Sequence, residues 1–295
     1  MNECPQPNVR DTALIFEGGG MRASYTAAIA NALLDAGINF GHVYGVSAGS
    51  SNAVNYVSRD IDRTRESFTE LVRDPDFGGI RTLLAHKGYF NAHHIYQEIG
   101  RPDGLLPFDY ATFSANPAQV TICACDRDTG SSVFWTKADM PTTDDLMVRV
   151  RASSTLPIVM PPATIGGHVY YDGGLAEGNG ILLPKARQDG FKKFFIVRTR
   201  PKPYRKPEKP KASTLAFFWR RPAMRRQLRA WGPGYNRVCD EADALMDQGR
   251  AYVVYAEHMG VENSTTELDA LRRNYEAGWE QAQRDLPAWK SFLGV

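Results

Sequence analysis

Between Ala13 and Val57 the apolar positions switch between two periods. Ala13-Leu14-Ile15-Phe16 is an unbroken apolar run with the length of a buried strand. Residues 27–36 follow helical spacing and stop at Gly37. His42-Val43-Tyr44 is a second β-prone run, and residues 47–57 are small and helix-compatible, with Ala48, Ala53, Val54 and Val57 placed to pack. Strand, helix, strand, helix is the signature of βαβ units in a mainly parallel sheet. Further strand-like runs lie near Val120, Val133, Val169 and Phe194, and again in Ala251-Tyr252-Val253-Val254-Tyr255-Ala256. Between them, residues 60–118 are mixed. Residues 65–72 read as a helix, Asp74-Pro75-Asp76-Phe77-Gly78-Gly79 breaks the chain, and Leu83, Leu84, Tyr89, Phe90, Ile95 and Tyr96 form an apolar set without a strong period. This segment is expected to form a helical cap. Ordinary packing on the sheet is the alternative.

The punctuation between these elements carries the chemistry. Gly45-Val46-Ser47-Ala48-Gly49 sits where a strand passes into a helix. On a sharp elbow of that kind the serine hydroxyl stands clear of the backbone, and glycines two residues either side tolerate the close approach of neighbouring elements. Gly18-Gly19-Gly20-Met21-Arg22 occupies the preceding strand-to-helix loop. Its Gly18-x-Gly20-x-x-Ala23 spacing also fits a dinucleotide fingerprint, but no carboxylate stands at the end of the second strand to hold a ribose. The loop is better read as an oxyanion hole, with backbone N–H groups near Gly19 and Gly20 and the charge of Arg22 close by. A serine hydroxyl needs a partner to take its proton. Asp172, at the end of His168-Val169-Tyr170-Tyr171 and before Gly173 and Gly174, is the stronger candidate, although Asp-Gly is also a common turn pair. His258 follows both residues, so a Ser–Asp–His order stays open.

These motifs, in this order, resemble the patatin-like phospholipase family over residues 10–203. The resemblance includes Arg151-Ala152-Ser153-Ser154-Thr155-Leu156-Pro157 before the aspartate and Phe194-Phe195-Ile196-Val197-Arg198-Thr199-Arg200-Pro201 after it. A softer likeness to the C-terminal part of bacterial members rests on Gly234-Tyr235-Asn236-Arg237 and on Tyr275 with Gly278. The resemblance implies a three-layer α/β/α fold with a mainly parallel central sheet, and a lipid acyl hydrolase acting through an acyl-serine. Ser47 corresponds to the nucleophile and Asp172 to its base. Gly18, Gly19, Gly20 and Arg22 correspond to the oxyanion loop, Gly45 and Gly49 flank the elbow, and Gly173 and Gly174 follow the base. It implies no cofactor and no metal. One departure is the long, glycine-rich run from Leu175 to Pro184 behind the aspartate. Residues 10–203 are expected to form the catalytic domain, with 60–118 as its cap, and residues 204–295 a small α/β extension packed on it.

Composition adds two points. With 295 residues and 43% hydrophobic content, the chain can bury a full core. A net charge of +2 hides a split: the basic segment 198–229, from Arg198 to Arg229, carries twelve Lys or Arg against one acid, whereas residues 240–285 carry eleven acids and four bases. The basic segment begins as a proline-rich loop and continues with Leu215, Phe217, Phe218 and Trp219 among arginines. It suits peripheral contact with an anionic membrane, or pairing with the acidic region that follows. No nucleic-acid motif accompanies it. Cys4, Cys123, Cys125 and Cys239 lack metal or disulfide spacing and read as reduced thiols. No signal segment or apolar span is visible, so a cytoplasmic protein, at most peripherally membrane-associated, is expected.

Overall fold

The computed structural model describes residues 4–176 and 180–295. The chain order is β1 (Thr12–Phe16), α1 (Ala23–Asp35), β2 (His42–Val46), α2 (Ala48–Ser58), α3 (Ile61–Glu66), α4 (Ile80–Leu84), α5 (Tyr110–Ala115), β3 (Gln119–Asp126), β4 (Ser132–Thr136) and α6 (Thr143–Ser154). It continues with β5 (Ala163–Ile165), β6 (His168–Asp172), α7 (Leu183–Gln188), β7 (Lys193–Val197), α8 (Ala212–Phe217), α9 (Pro222–Asp247), β8 (Ala251–Val254) and α10 (Leu268–Leu293). The strands form one eight-stranded sheet in the order β5-β6-β3-β2-β1-β7-β8, with β4 also paired to β3. Strands β3, β2, β1, β7 and β8 are mutually parallel; β4 and β6 run antiparallel to β3, and β5 to β6.

The core explains the apolar runs. β1 is buried along its whole length, as an inner strand covered on both faces must be. Its side chains alternate: Leu14 and Phe16 join the layer with Ile29, Val54 and Trp289, whereas Ala13 and Ile15 meet Leu183, Tyr235 and Ala242 on the other face. Helices therefore cover both sides, α1, α2, α6 and α10 on one and α7 and α9 on the other. α1 is sandwiched, with nearly every residue buried, which is why it is built from alanines. Gly278 of α10 lets that helix cross it closely, since a Cβ there would stand 2.5 Å from the Tyr25 carbonyl oxygen. Tyr275 Oη accepts from Asn31 Nδ2 at 2.8 Å beside the same crossing. The tyrosine and glycine near the C-terminus thus fasten α10 to α1.

One detail of the sheet fixes the site. β4 occupies one edge of β3 along Thr121, Ile122, Cys123, Ala124 and Cys125, and β2 occupies the other edge as far as Cys123, opposite Val46. β6 pairs with Ala124, Cys125 and Asp126, so it continues the edge that β2 leaves. β2 and β6 run toward each other and meet end to end, with Val46 opposite Cys123 and Asp172 opposite Ala124.

Some local readings differ. The helix expected over 65–72 begins earlier and breaks: Asp60 caps α3 by accepting from Arg63 N–H, and Thr69 Oγ1 bonds back to the Arg65 carbonyl before a 3₁₀ turn at Glu70–Arg73. The break turns Phe68 and Leu71 toward a pocket. α6 was not foreseen as a helix; Thr142 starts it by accepting from Asp145 N–H. The residues after Arg198 form an irregular loop to 211, as its prolines predict.

Candidate active site

Ser47 lies between β2 and α2 with φ 56° and ψ −134°, a conformation rarely adopted by a residue with a side chain. The flanking glycines are required by space. A Cβ on Gly45 would stand 2.2 Å from the Gly49 carbonyl oxygen, and one on Gly49 2.3 Å from that of Phe16. Ser47 N–H donates to Ser153 Oγ at 2.9 Å, which steadies the elbow from the end of α6.

Ser47 Oγ donates to Asp172 Oδ2 at 2.6 Å. The other carboxylate oxygen accepts from Gly174 N–H at 2.7 Å, and Asp172 N–H donates to the Thr155 carbonyl at 2.8 Å. The segment holding Ser153 and Thr155 thus braces both residues. Burial pushes the Asp172 carboxyl up to about 6; the Ser47 hydroxyl, Gly174 N–H and the charge of Lys206 restrain the rise. No histidine touches either residue among the described residues, and His258 stands exposed beyond β8. The Ser–Asp–His alternative therefore has no geometric support: the carboxylate bonds the Ser47 hydroxyl itself, with no imidazole between them.

The glycine loop passes directly over Ser47. A Cβ on Gly18 would lie 2.9 Å from Ser47 Cβ, so any larger residue would displace the loop. Gly18 N–H donates to the Gly180 carbonyl and Met21 N–H to that of Asn263. Among the described residues, the N–H groups of Gly19 and Gly20 have no hydrogen-bond partner. Arg22 is buried and pairs with Glu262 at 3.6 Å; it does not line the pocket. Burial, then the charge of Arg200, pulls its pKa down.

Beneath the loop lies a polar knot that sequence reasoning missed. Glu17 accepts from Arg198 Nε at 2.8 Å, Thr199 N–H at 2.7 Å and Tyr235 Oη at 2.5 Å. Burial opposes the Glu17 charge, yet Arg198 and these donors hold its carboxyl below the usual range. Thr199 Oγ1 also donates to the Gly18 carbonyl at 2.8 Å. Tyr235 had surfaced only as part of a soft family likeness. The remote chain position of each partner gave no local signal.

Ser47 opens into an apolar pocket. Phe68, Leu71, Phe77, Phe90 and Ile95 line it from the segment 60–118, with Met147 and Val150 from α6 opposite. A π-helical turn, His94–Glu98, holds part of this wall, and His94 bridges Asp74 and Glu98 at 2.6 Å each. The run behind the aspartate is only partly visible: Glu177, Gly178 and Asn179 lie outside the described residues.

The basic segment divides. Arg198 and Phe218 are buried, Arg205 pairs with Asp240 and Asp243, and Arg221 pairs with Asp128. Phe217 and Trp219 remain exposed, as do Arg226 and Arg229. Cys123 and Cys125 are buried thiols whose pKa burial raises. Among the described residues there is no metal-holding cluster, and no helix is long and apolar enough to cross a membrane.

A serine elbow bonded to a strand-end aspartate, on a mixed sheet between two helical layers, defines a patatin-like α/β protein. The patatin-like phospholipase family model matches residues 14–184 of the 295, and the chain belongs to that family. Residues 222–294 match a domain of unknown function, DUF6363. The chain is 23% identical over 191 residues to the uncharacterized protein YjjU of Escherichia coli (strain K12), a match covering 64% of this chain and 52% of YjjU, so it spans about half of that relative. The fold is similar to that of VipD from Legionella pneumophila, with a TM-score of 0.53 at 10% identity, over 94% of this chain and 67% of VipD.

Proposed function

We propose that this chain is a serine lipid acyl hydrolase that cleaves carboxylic esters of phospholipids or lysophospholipids with a Ser47–Asp172 dyad. The 2.6 Å hydrogen bond from Ser47 Oγ to Asp172 Oδ2, at the floor of an apolar pocket, carries this reading. The acyl chain lies among Phe68, Leu71, Phe77 and Ile95, and the ester carbonyl oxygen faces the Gly19 and Gly20 N–H groups. Ser47 Oγ attacks the carbonyl carbon as Asp172 accepts its proton. The tetrahedral oxyanion collapses, the alcohol leaves with that proton, and an acyl-serine remains. Water, losing a proton to Asp172, then releases the fatty acid and restores the hydroxyl. Burial makes the carboxylate a stronger base than an exposed one, because its conjugate acid titrates nearer the working pH. The preorganised amides supply the electrostatic part of the rate.

Peripheral membrane contact belongs to the same proposal. Ile80, Leu83 and Leu84 expose one apolar side of α4 beside pocket-lining Phe77, and Phe217 and Trp219 stand exposed in the basic segment. The test is fatty-acid release from phosphatidylcholine vesicles and micellar lysophosphatidylcholine. Ser47→Ala and Asp172→Asn should each lower turnover at least about a thousandfold, as loss of a nucleophile or its base does, while far-UV circular dichroism stays native. Ser47 should be the residue labelled by a fluorophosphonate. A protein that neither hydrolyses ester nor takes the label would be a lipid-binding module instead.

A further inference from the structure

The C-terminal part of the chain reaches the dyad through two side chains that neither the motifs nor the family match distinguishes. Trp231, on α9, donates its indole N–H to the Gly174 carbonyl at 2.6 Å. Gly174 is the residue whose own N–H holds Asp172 Oδ1 at 2.7 Å. The indole therefore fixes the turn that aims the carboxylate at Ser47.

Lys206 comes from the proline-rich loop, where a solvated lysine was to be expected. Its ammonium instead lies 3.9 Å from the centre of the Trp231 ring and 4.0 Å from that of Tyr235, a cation–π arrangement with both. A Cβ on Gly180 would stand 3.9 Å from it, and the Gly180 carbonyl is the acceptor for Gly18 N–H of the glycine loop. The placement is built from both sides. Asn236 Oδ1 accepts from Lys206 N–H at 2.8 Å, and Asn236 Nδ2 donates to the Lys206 carbonyl at 3.0 Å. Gly232 lets α9 run against the loop, since a Cβ there would lie 2.0 Å from the Pro207 carbonyl oxygen. A half-buried lysine held this firmly against two aromatic rings is there for its charge or its reach.

We propose that Lys206 and Trp231 are positioning residues of the Ser47–Asp172 pair: Trp231 holds the turn that orients the carboxylate, and the Lys206 ammonium supplies the positive charge that compensates it inside the protein. The proposal rests on the dyad reading of this site. Lys206 and Asp172 each favour the charged form of the other, and burial opposes both. Burial draws Lys206 down to about 7, against the pull of Glu17, Asp172 and Cys239, with Arg22 adding to the fall. Around Asp172 the other groups are the Ser47 hydroxyl and Gly174 N–H, with Tyr96 and the thiols of Cys123 and Cys125 farther off and kept neutral by burial. Among the described residues, Lys206 is the cation whose charge acts on the Asp172 carboxylate. Without it, Asp172 should hold its proton to higher pH.

The experiment uses the full chain and compares wild type with Lys206→Met, Lys206→Arg and Trp231→Phe. The first readout is kcat/KM for a soluble p-nitrophenyl ester between pH 4.5 and 9. Lys206→Met should move the acidic limb upward by about one pH unit, the effect of removing a nearby opposite charge, and Lys206→Arg should restore most of it. Trp231→Phe should lower kcat about tenfold, the loss of one hydrogen bond that orients the base, with KM and the limb unchanged. The second readout needs no turnover: the ¹³C-carboxyl titration of Asp172, assigned with Asp172→Asn. Its midpoint should rise by the same amount in Lys206→Met, or in Lys206→Gln should the methionine variant not fold. Coincident midpoints in wild type and the uncharged variants would overturn the proposal. Hydrolysis persisting in Ser47→Ala would instead remove the dyad reading, while the ¹³C comparison still decides the role of Lys206.

Discussion

Asp172 is asked to be both buried and ionised. The folded protein holds its proton up to about pH 6, whereas the unfolded chain releases it near pH 4. As pH rises from about 4 to 6 the unfolded state therefore loses its proton first, and folding loses about 3 kcal/mol of stability that stays lost above pH 6. Asp172→Asn, which cannot ionise, should be about 3 kcal/mol more stable than wild type at pH 7.5 in urea melts, with the gap closing near pH 4. Activity should move oppositely, with kcat/KM falling as pH drops through about 6 because a protonated carboxyl cannot accept from Ser47. Glu17 is the contrary case. Its charge is matched by Arg198, so Glu17→Gln strands a buried guanidinium and should cost about 3–5 kcal/mol in the same melts. The turns that carry Ser47, Asp172 and the glycine loop were legible in the sequence because sharp turns leave a local imprint of glycine. Lys206 was not legible. Its placement depends on Trp231 and Tyr235, which come from a helix later in the chain.

Among the elements, α4 departs most from the usual patterning. A surface helix normally turns its apolar side inward. Here Thr82 is buried, and Ile80, Leu83 and Leu84 are 73%, 51% and 75% exposed, at the i, i+3, i+4 spacing of one helical face. Gly78 and Phe90 bridge at its base, which ties this helix to the pocket wall. Paired Ile80→Ser and Leu84→Ser changes should cut hydrolysis of phospholipid vesicles about tenfold, from the transfer energy of two lost apolar contacts with lipid. Hydrolysis of a soluble short-chain ester should remain as in wild type; an equal fall in both would assign α4 to folding rather than to docking. The inner strands were readable because burial on both faces demands unbroken apolar runs. β5 was not, since three residues are too few to establish a period. α6 was hidden by its polar start and begins where a threonine cap, not hydrophobicity, places it.

At the scale of the molecule, the chain beyond residue 184 completes the fold. β8 adds to the sheet beside β7, α10 covers α1, and Trp289 is fully buried against Phe195. Residues 1–203 alone should therefore fail to give a cooperative thermal transition, while the whole chain melts in one step; a sharp transition in the shortened chain would mark 204–295 as dispensable. The alternation of βαβ units announced this sheet, but not that the last strand and helix complete it, because a C-terminal strand can be assigned to a neighbour only once the fold is closed. The abutment of β2 and β6 on β3 has a further consequence. Each strand end is indexed to a tooth of the same rack, Val46, which precedes Ser47, at Cys123 and Asp172 at Ala124. Sliding either strand by one notch would carry its end about 3.3 Å away and invert which way its side chains point. Under the proposed dyad mechanism, turnover is in that sense a vernier on the sheet: a molecule that hydrolysed ester would certify that two strands, threaded far apart in the chain, have both seated on the third to within a single peptide.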